Sequence, residues 1–168
     1  MKEYSVTYAQ RQGPRISQED RHFHKHVKDP DFNGWLLAVM DGHGGSSVAE
    51  LCAKEIDGLF MLQDTDHTEE ALLNLVSVLN TKTAHFHEGS TLSVVCVLED
   101  CDKASISVLG GSPVIVLDDK GKLHVSPEHN VRSNRAEREA AEKRGGVCKD
   151  GYLYKKDGNH GLQISRAL

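Results

Sequence analysis

The most constraining feature of the chain is the run Trp35-Leu36-Leu37-Ala38-Val39-Met40 followed at once by Asp41-Gly42-His43-Gly44-Gly45. The first six residues are apolar and bulky, and a short run of that kind predicts a buried β-strand. The chain must then turn, and glycines at 42, 44 and 45 permit close backbone approaches and dihedral angles that other residues resist. Beyond the turn, Ser46 or Ser47 can cap a helix. Val48, Leu51, Cys52, Ile56, Leu59 and Phe60 recur there at helical spacing. A strand, a turn and a helix thus fix a carboxylate and an imidazole at a strand end. That is a good place for a hard cation beside a proton donor. Taken alone, the same five residues also suit an ordinary tight turn with a solvated Asp and His.

The rest of the chain alternates between strand and helix signals. Tyr4 to Tyr8 and Arg21 to Val27 have strand alternation, the latter placing His22, His24 and His26 on one face. Three imidazoles in that pattern suit either a transition metal or a solvated strand face. Trp35 is expected in the core at the strand start. Asp64 to Asp66 breaks the first helix, and Thr68 with Glu69 and Glu70 opens a second that reaches about His87. Strands follow at Thr91 to Leu98, Ala104 to Leu109, Val114 to Leu117 and Lys122 to Val125, the last two joined through Asp118 to Gly121. Asn134 to Arg144 is a charged helix closed by Gly145-Gly146. Short strands lie around Val147 and at Tyr152 to Tyr154. Helices segregated from runs of antiparallel strands predict an α+β fold rather than a doubly wound parallel sheet.

At 168 residues the chain suits one domain spanning 1–168. Its hydrophobic content of 38% and charged content of 27% are those of a globular protein. No stretch has the length and apolarity of a membrane span, and residues 1–5 lack the apolar core of a leader, so a cytoplasmic location without membrane attachment is expected. A formal net charge of -5 argues against nucleic acid as the main partner. Cys52, Cys96, Cys101 and Cys148 form no CxxC pair, which argues against structural zinc and favours reduced, buried thiols.

Upstream of the turn stands Arg15-Ile16-Ser17-Gln18-Glu19-Asp20. In an extended segment Glu19 and Asp20 face opposite ways, so one can enter a site while the other supports it. The Arg15 guanidinium matches the geometry of a phosphate. Arg15, Glu19, Asp20, Asp41 and His43 together can bind a cation and a phosphate at one place.

These blocks resemble the PP2C (PPM) family of metal-dependent protein serine/threonine phosphatases. Arg15-x-x-x-Glu19-Asp20, Ala38 to Gly45, Gly89-Ser90-Thr91, Val108 to Ser112, Ser126-Pro127-Glu128-His129 and Leu162 to Leu168 stand in the family's order. The resemblance implies a β-sandwich of two antiparallel sheets flanked by helices. It also implies hydrolysis of phosphoserine and phosphothreonine in proteins, by water activated between two Mg²⁺ or Mn²⁺ ions about 3.5–4 Å apart, without a phosphoenzyme. By the same resemblance Asp41 bridges the metals and Gly42 gives one its carbonyl oxygen. Glu19 and Asp20 hold metal-bound waters, Arg15 binds the phosphate and His43 protonates the leaving oxygen. The expected partner is a phosphoprotein substrate.

The chain departs from the family in three places. It stops at Leu168, before the segment that carries further metal-ligand aspartates. Gly111 replaces the Asp of Gly-Asp-Ser, and Glu128 replaces the Asp of Ser-x-Asp-His. Two expectations therefore stand side by side: a Mg²⁺- or Mn²⁺-dependent hydrolase holding two, one or no metals, and a pseudophosphatase acting as a binding or regulatory module. A sheet shortened at its C-terminal side would also leave edges and apolar faces open, predicting a rearranged C-terminus or a homodimer that covers them.

Overall fold

The computed structural model describes residues 4–28, 32–62, 68–99, 101, 103–154, 158 and 160–168. Its central feature is a four-stranded antiparallel sheet built from β1 (Arg21–Lys28), β2 (Asn33–Met40), β5 (Leu92–Leu98) and β6 (Lys103–Leu109), in the order β1-β2-β5-β6. Between β2 and β5 the chain forms the two-residue β3 (Gly42–His43), the helices α1 (Ser47–Met61) and α2 (Thr68–Thr83), and the two-residue β4 (Gly89–Ser90). After β6 come a two-stranded ribbon, β7 (Ile115–Leu117) with β8 (Leu123–Val125), and then α3 (Arg135–Lys143). Last is a three-stranded sheet of β9 (Val147–Lys149), β10 (Tyr152–Tyr154) and β11 (Gly161–Leu162).

Period-two alternation decides which face of the large sheet is inside. Leu36, Ala38 and Met40 of β2 and Val94 and Cys96 of β5 point to one side and are buried. Against them α1 sets Val48, Cys52, Ile56 and Phe60, and α2 sets Leu72, Leu75 and Leu79, at the three- and four-residue spacing of a single helical stripe. Each such side chain contributes about 1.5–3 kcal/mol through its removal from water. Ion pairs tie the helices to the same face: Arg21 to Glu50, Lys25 to Asp57 and Lys103 to Glu69.

The opposite face carries His22, His24 and His26 across from Val39, Leu37 and Trp35, as the β1–β2 register requires. Trp35 is therefore outside the core, half-buried and stacked on His26 at 4.9 Å. The imidazoles of His22 and His24 stack at 5.8 Å, and Tyr8 lies against His22 at 4.1 Å. Val39 on this face is 51% exposed, and Ile115, Leu117, Leu123 and Val125, facing one way on the β7–β8 ribbon, are each more than 60% exposed.

The mixed α+β expectation with antiparallel sheets holds, but several boundaries differ. Residues 4–20 form no strand, because no neighbouring strand among the described residues accepts the backbone of 4–8. The second helix ends at Thr83 rather than near His87. The Thr83 hydroxyl donates to the Leu79 carbonyl at 2.9 Å, and a turn from there delivers the chain to β4. The expected break at Asp64 to Asp66 lies outside the described residues. No helix among the described residues is long and apolar enough to cross a membrane.

Candidate active site

Register alone brings the acidic groups together. In the β1–β2 hairpin Arg21 pairs with Met40, so the residue before β1, Asp20, stands opposite the residue after β2, Asp41. Gly42 completes the approach. A Cβ at position 42 would lie 2.5 Å from the Glu19 carbonyl oxygen and 3.0 Å from that of Gly45, so only glycine fits between them. Arg15, Glu19, Asp20, Asp41, Gly42 and His43 all line one open cleft of about 1090 Å³. All six residues expected at the site are thus in one place, although the contact between 15–20 and 41–43 joins segments far apart in sequence.

The electrostatics follow from this crowding. Burial pushes the Asp41 carboxyl up from its ordinary range, the Asp20 carboxylate pushes it further through charge and a shared hydrogen bond, and Glu19 adds to both; Arg15 opposes them. Burial lowers the His43 imidazole, and the Glu19 carboxylate partly restores it. Both Glu19 and Asp20 line the cleft and act on Asp41, Asp20 more strongly. A carboxyl raised by burial and by neighbouring carboxylates, as Asp41 is, favours a cation beside it. Among the described residues no group of three or more His, Cys, Asp or Glu side chains is arranged to hold a metal ion. The donors nevertheless fit a hard divalent cation in kind: carboxylate and backbone oxygens, with space in the cleft for the waters that Mg²⁺ keeps.

A segment given no role by the sequence pattern holds the turn in place. Thr91 donates its N–H to the Asp41 carbonyl at 2.9 Å, and its Oγ1 accepts the Asp41 N–H at 3.0 Å. Thr91 Oγ1 also meets the Ser112 Oγ at 2.9 Å, which joins β5 to the loop after β6. One residue earlier Ser90 pairs with Gly42, and Gly89 pairs with His43. A Cβ on Gly89 would lie 2.3 Å from His43 Nε2, so glycine lets the imidazole come up against the backbone. The triplet Gly89-Ser90-Thr91 was visible as a motif. Its contacts with the Asp41–His43 turn were not, because they close loops of more than forty residues.

The departures also have a physical account. Ile164 covers Gly111, where an added Cβ would fall 2.9 Å from Ile164 Cγ2, so an aspartate there would have to displace it. Glu128 points away from the cleft and accepts from the Ser133 hydroxyl, while its carbonyl oxygen receives Asn134 Nδ2 at 2.9 Å beside the N-cap of α3. Ser165 and Arg166 serve the same helix: Ser165 Oγ donates to Glu137 Oε2 at 2.6 Å and Arg166 Nη2 to Glu137 Oε1 at 2.9 Å. Leu168 continues past them to exchange backbone bonds with Ser90, donating at 2.9 Å and accepting at 3.4 Å. The Ser-Arg-Ala-Leu block therefore braces α3 and β4 rather than lining the cleft.

The sequence profile described as Protein phosphatase 2C matches residues 4–168. Among curated proteins, "Probable protein phosphatase 2C 2" of Paramecium tetraurelia is 26% identical over 98% of this chain and 59% of its own length. "Protein phosphatase 2C homolog 2" of Saccharomyces cerevisiae is 25% identical over 94% of this chain and 35% of its own length. The chain thus spans between about a third and three-fifths of the relatives it matches. Among solved structures, that of a C. elegans sex determining protein superposes with a TM-score of 0.74 at 24% identity, covering 93% of this chain and 41% of that one, a likeness of fold.

Proposed function

The chain belongs to the protein phosphatase 2C family, and from that premise we propose that it hydrolyses phosphoserine and phosphothreonine monoesters in proteins with the help of Mg²⁺ or Mn²⁺. The observation that carries this reading is the meeting of Asp41 with Asp20 and Glu19, beside Arg15, at the open end of the β1–β2 hairpin. Asp41 and the Gly42 carbonyl would hold the cation, with Glu19 and Asp20 accepting hydrogen bonds from its waters. When bound, such an ion supplies a water activated near neutral pH and offsets charge on the phosphoryl oxygens. Arg15 orients the phosphate through its fork of N–H donors. His43 donates a proton to the departing seryl or threonyl oxygen, which would otherwise leave as a strongly basic alkoxide. Burial favours the neutral imidazole in the free protein, and an arriving phosphate dianion favours its protonated form.

The two-sheet sandwich is part of the same proposal. One sheet is built, and its far face, with Val39 half exposed, is the side on which a second layer would pack. A second reading, a pseudophosphatase that binds phosphoproteins without turning them over, draws on the lack of a closed ligand cluster among the described residues and on Gly111 lying under Ile164. Mn²⁺-dependent hydrolysis of p-nitrophenyl phosphate by this chain and by Asp41→Asn separates the two. The hydrolase reading expects metal-dependent turnover that the variant loses. No metal-dependent difference would sink it, and calorimetric Mn²⁺ titration then counts the ions bound.

A further inference from the structure

The helix after the Gly44-Gly45 turn is capped from outside its own sequence. Ser46 occupies the N-cap position of α1, but its side chain makes no capping bond; its Oγ donates instead to Glu50 Oε1 at 2.9 Å. The N–H of Ser47 is taken by Glu88, whose Oε2 accepts it at 2.6 Å from 41 residues away. A carboxylate at this end of a helix satisfies an orphan donor and opposes the positive pole of the helix dipole.

The glycines before the helix are shaped to this visitor. Gly45 has φ 146°, and a Cβ there would lie 2.2–2.6 Å from the carboxyl atoms of Glu88. Gly44 has φ 75°, and a Cβ on it would lie 3.8 Å from the Glu88 Cα. Four consecutive residues therefore engage the turn and the helix start: Thr91 on Asp41, Ser90 on Gly42, Gly89 on His43 and Glu88 on Ser47. The β3–β4 pairing spans only two residue pairs, so it cannot by itself fix the loop that leaves His43.

We propose that Glu88 is a positioning residue for His43: by capping α1 across the chain it fixes residues 44–46 and so holds the imidazole against Gly89. The part of this that concerns turnover rests on the phosphatase reading above; the part that concerns the imidazole does not.

The test compares Glu88→Ala, Glu88→Gln and Glu88→Asp in the full chain. Gln keeps an oxygen acceptor at the same reach, whereas Asp withdraws it by one methylene. Two substrates report on His43. A phosphothreonyl peptide leaves as a basic alkoxide and needs the proton, whereas p-nitrophenyl phosphate leaves as a stabilised phenolate and does not. Glu88→Ala is expected to lower kcat on the peptide roughly 10- to 100-fold, as a displaced acid does, with little change on p-nitrophenyl phosphate and with Gln restoring most of the loss. The side-chain NMR resonance of His43 in the metal-free protein should move in Ala and return in Gln.

Parallel losses on both substrates, or no loss, with an unmoved His43 resonance would overturn the proposal. If Glu88→Ala does not fold, the Asp and Gln variants decide on the same readouts, Asp behaving as Ala was expected to and Gln as the parent. If the parent hydrolyses neither substrate, the phosphatase reading fails and the resonance alone decides: moved in Ala and restored in Gln supports Glu88, unmoved overturns it.

Discussion

Thr91 closes a ring of two hydrogen bonds on Asp41, giving its N–H to the Asp41 carbonyl at 2.9 Å and taking the Asp41 N–H on Oγ1 at 3.0 Å. Thr91 engages only the backbone of Asp41, so the carboxyl is left to the cleft, where it meets Asp20. Both main-chain groups of the residue are held by one partner, and that partner is anchored in β5's approach and to Ser112. Thr91→Val keeps the shape and removes the hydroxyl. It leaves the Asp41 N–H without an acceptor, at a cost of about 1–3 kcal/mol. The expected result is a fall in urea midpoint with unchanged m-value, and loss of any metal-dependent hydrolysis beyond the unfolded fraction. An unchanged midpoint would show that the hydroxyl does not carry the turn.

Asp41 itself should be a burden on the fold until a cation arrives. Its carboxyl is raised in the folded protein by burial, then by Asp20 and Glu19. A carboxyl with a raised folded value destabilises once ionised. The effect is absent below the ordinary value of 3.8 and complete above the raised one. Asp41→Asn is therefore expected to raise Tm at pH 7 in chelator, and the gain should vanish near pH 3. With Mn²⁺ at about 100 times its Kd, the parent should gain about 2.7 kcal/mol by mass action and the variant much less. Thermal scans with and without Mn²⁺ at the two pH values check both signs.

The parts of this architecture that were legible in the sequence are those written in short-range pattern. β2 and α1 follow from the apolar run and the helical stripe of Val48, Cys52 and Ile56, and both lie within two residues of expectation. Arg15 to Asp20 and Asp41 to His43 stood out by their distinctive chemistry, and the structure sets them along one cleft where the hairpin register ends. Trp35 was misplaced because strand alternation gives the large aromatic to whichever face its neighbours leave, and Leu36 had already taken the inner one. Glu88 gave no signal: nothing local marks a carboxylate that caps a helix 41 residues upstream. The unformed strand at 4–8 failed for a related reason, since alternation supplies a strand's faces but not the neighbour that accepts its backbone bonds.

Glu137 joins α3 to the C-terminal residues of the chain. Burial would raise its carboxyl, but the Ser165 hydroxyl and the Arg166 guanidinium outweigh burial and hold it below the ordinary value of 4.5. A depressed carboxyl contributes stability that is present above the unfolded value and lost as pH falls through the folded one. Arg166 is nearly half exposed, so screening reduces the pair's share and the hydroxyl bond matters more. Glu137→Gln is expected to cost about 1 kcal/mol at pH 7, and the difference from the parent should close as pH falls below the ordinary carboxylate value. A Tm gap between the two proteins that does not change with pH would rule out the charge as its origin.

The four cysteines should divide sharply by reactivity. Cys52 lies on the inner face of α1 and Cys96 in β5, both fully buried, and burial pushes each thiol up to about 12. The thiolate is the reacting form, so at pH 8 only about one molecule in ten thousand presents it at either site. Cys101 is exposed and Cys148 partly so, and none of the four is paired. Iodoacetamide at pH 8 should therefore label Cys101 first and Cys148 more slowly, since burial and the Glu142 carboxylate raise the latter. Cys52 and Cys96 should react only after denaturant opens the sheet–helix core, at a rate that follows global unfolding. Labelling of Cys52 in native buffer at the rate of Cys101 would mean that α1 lifts off the sheet, and with it the helix start that Glu88 caps.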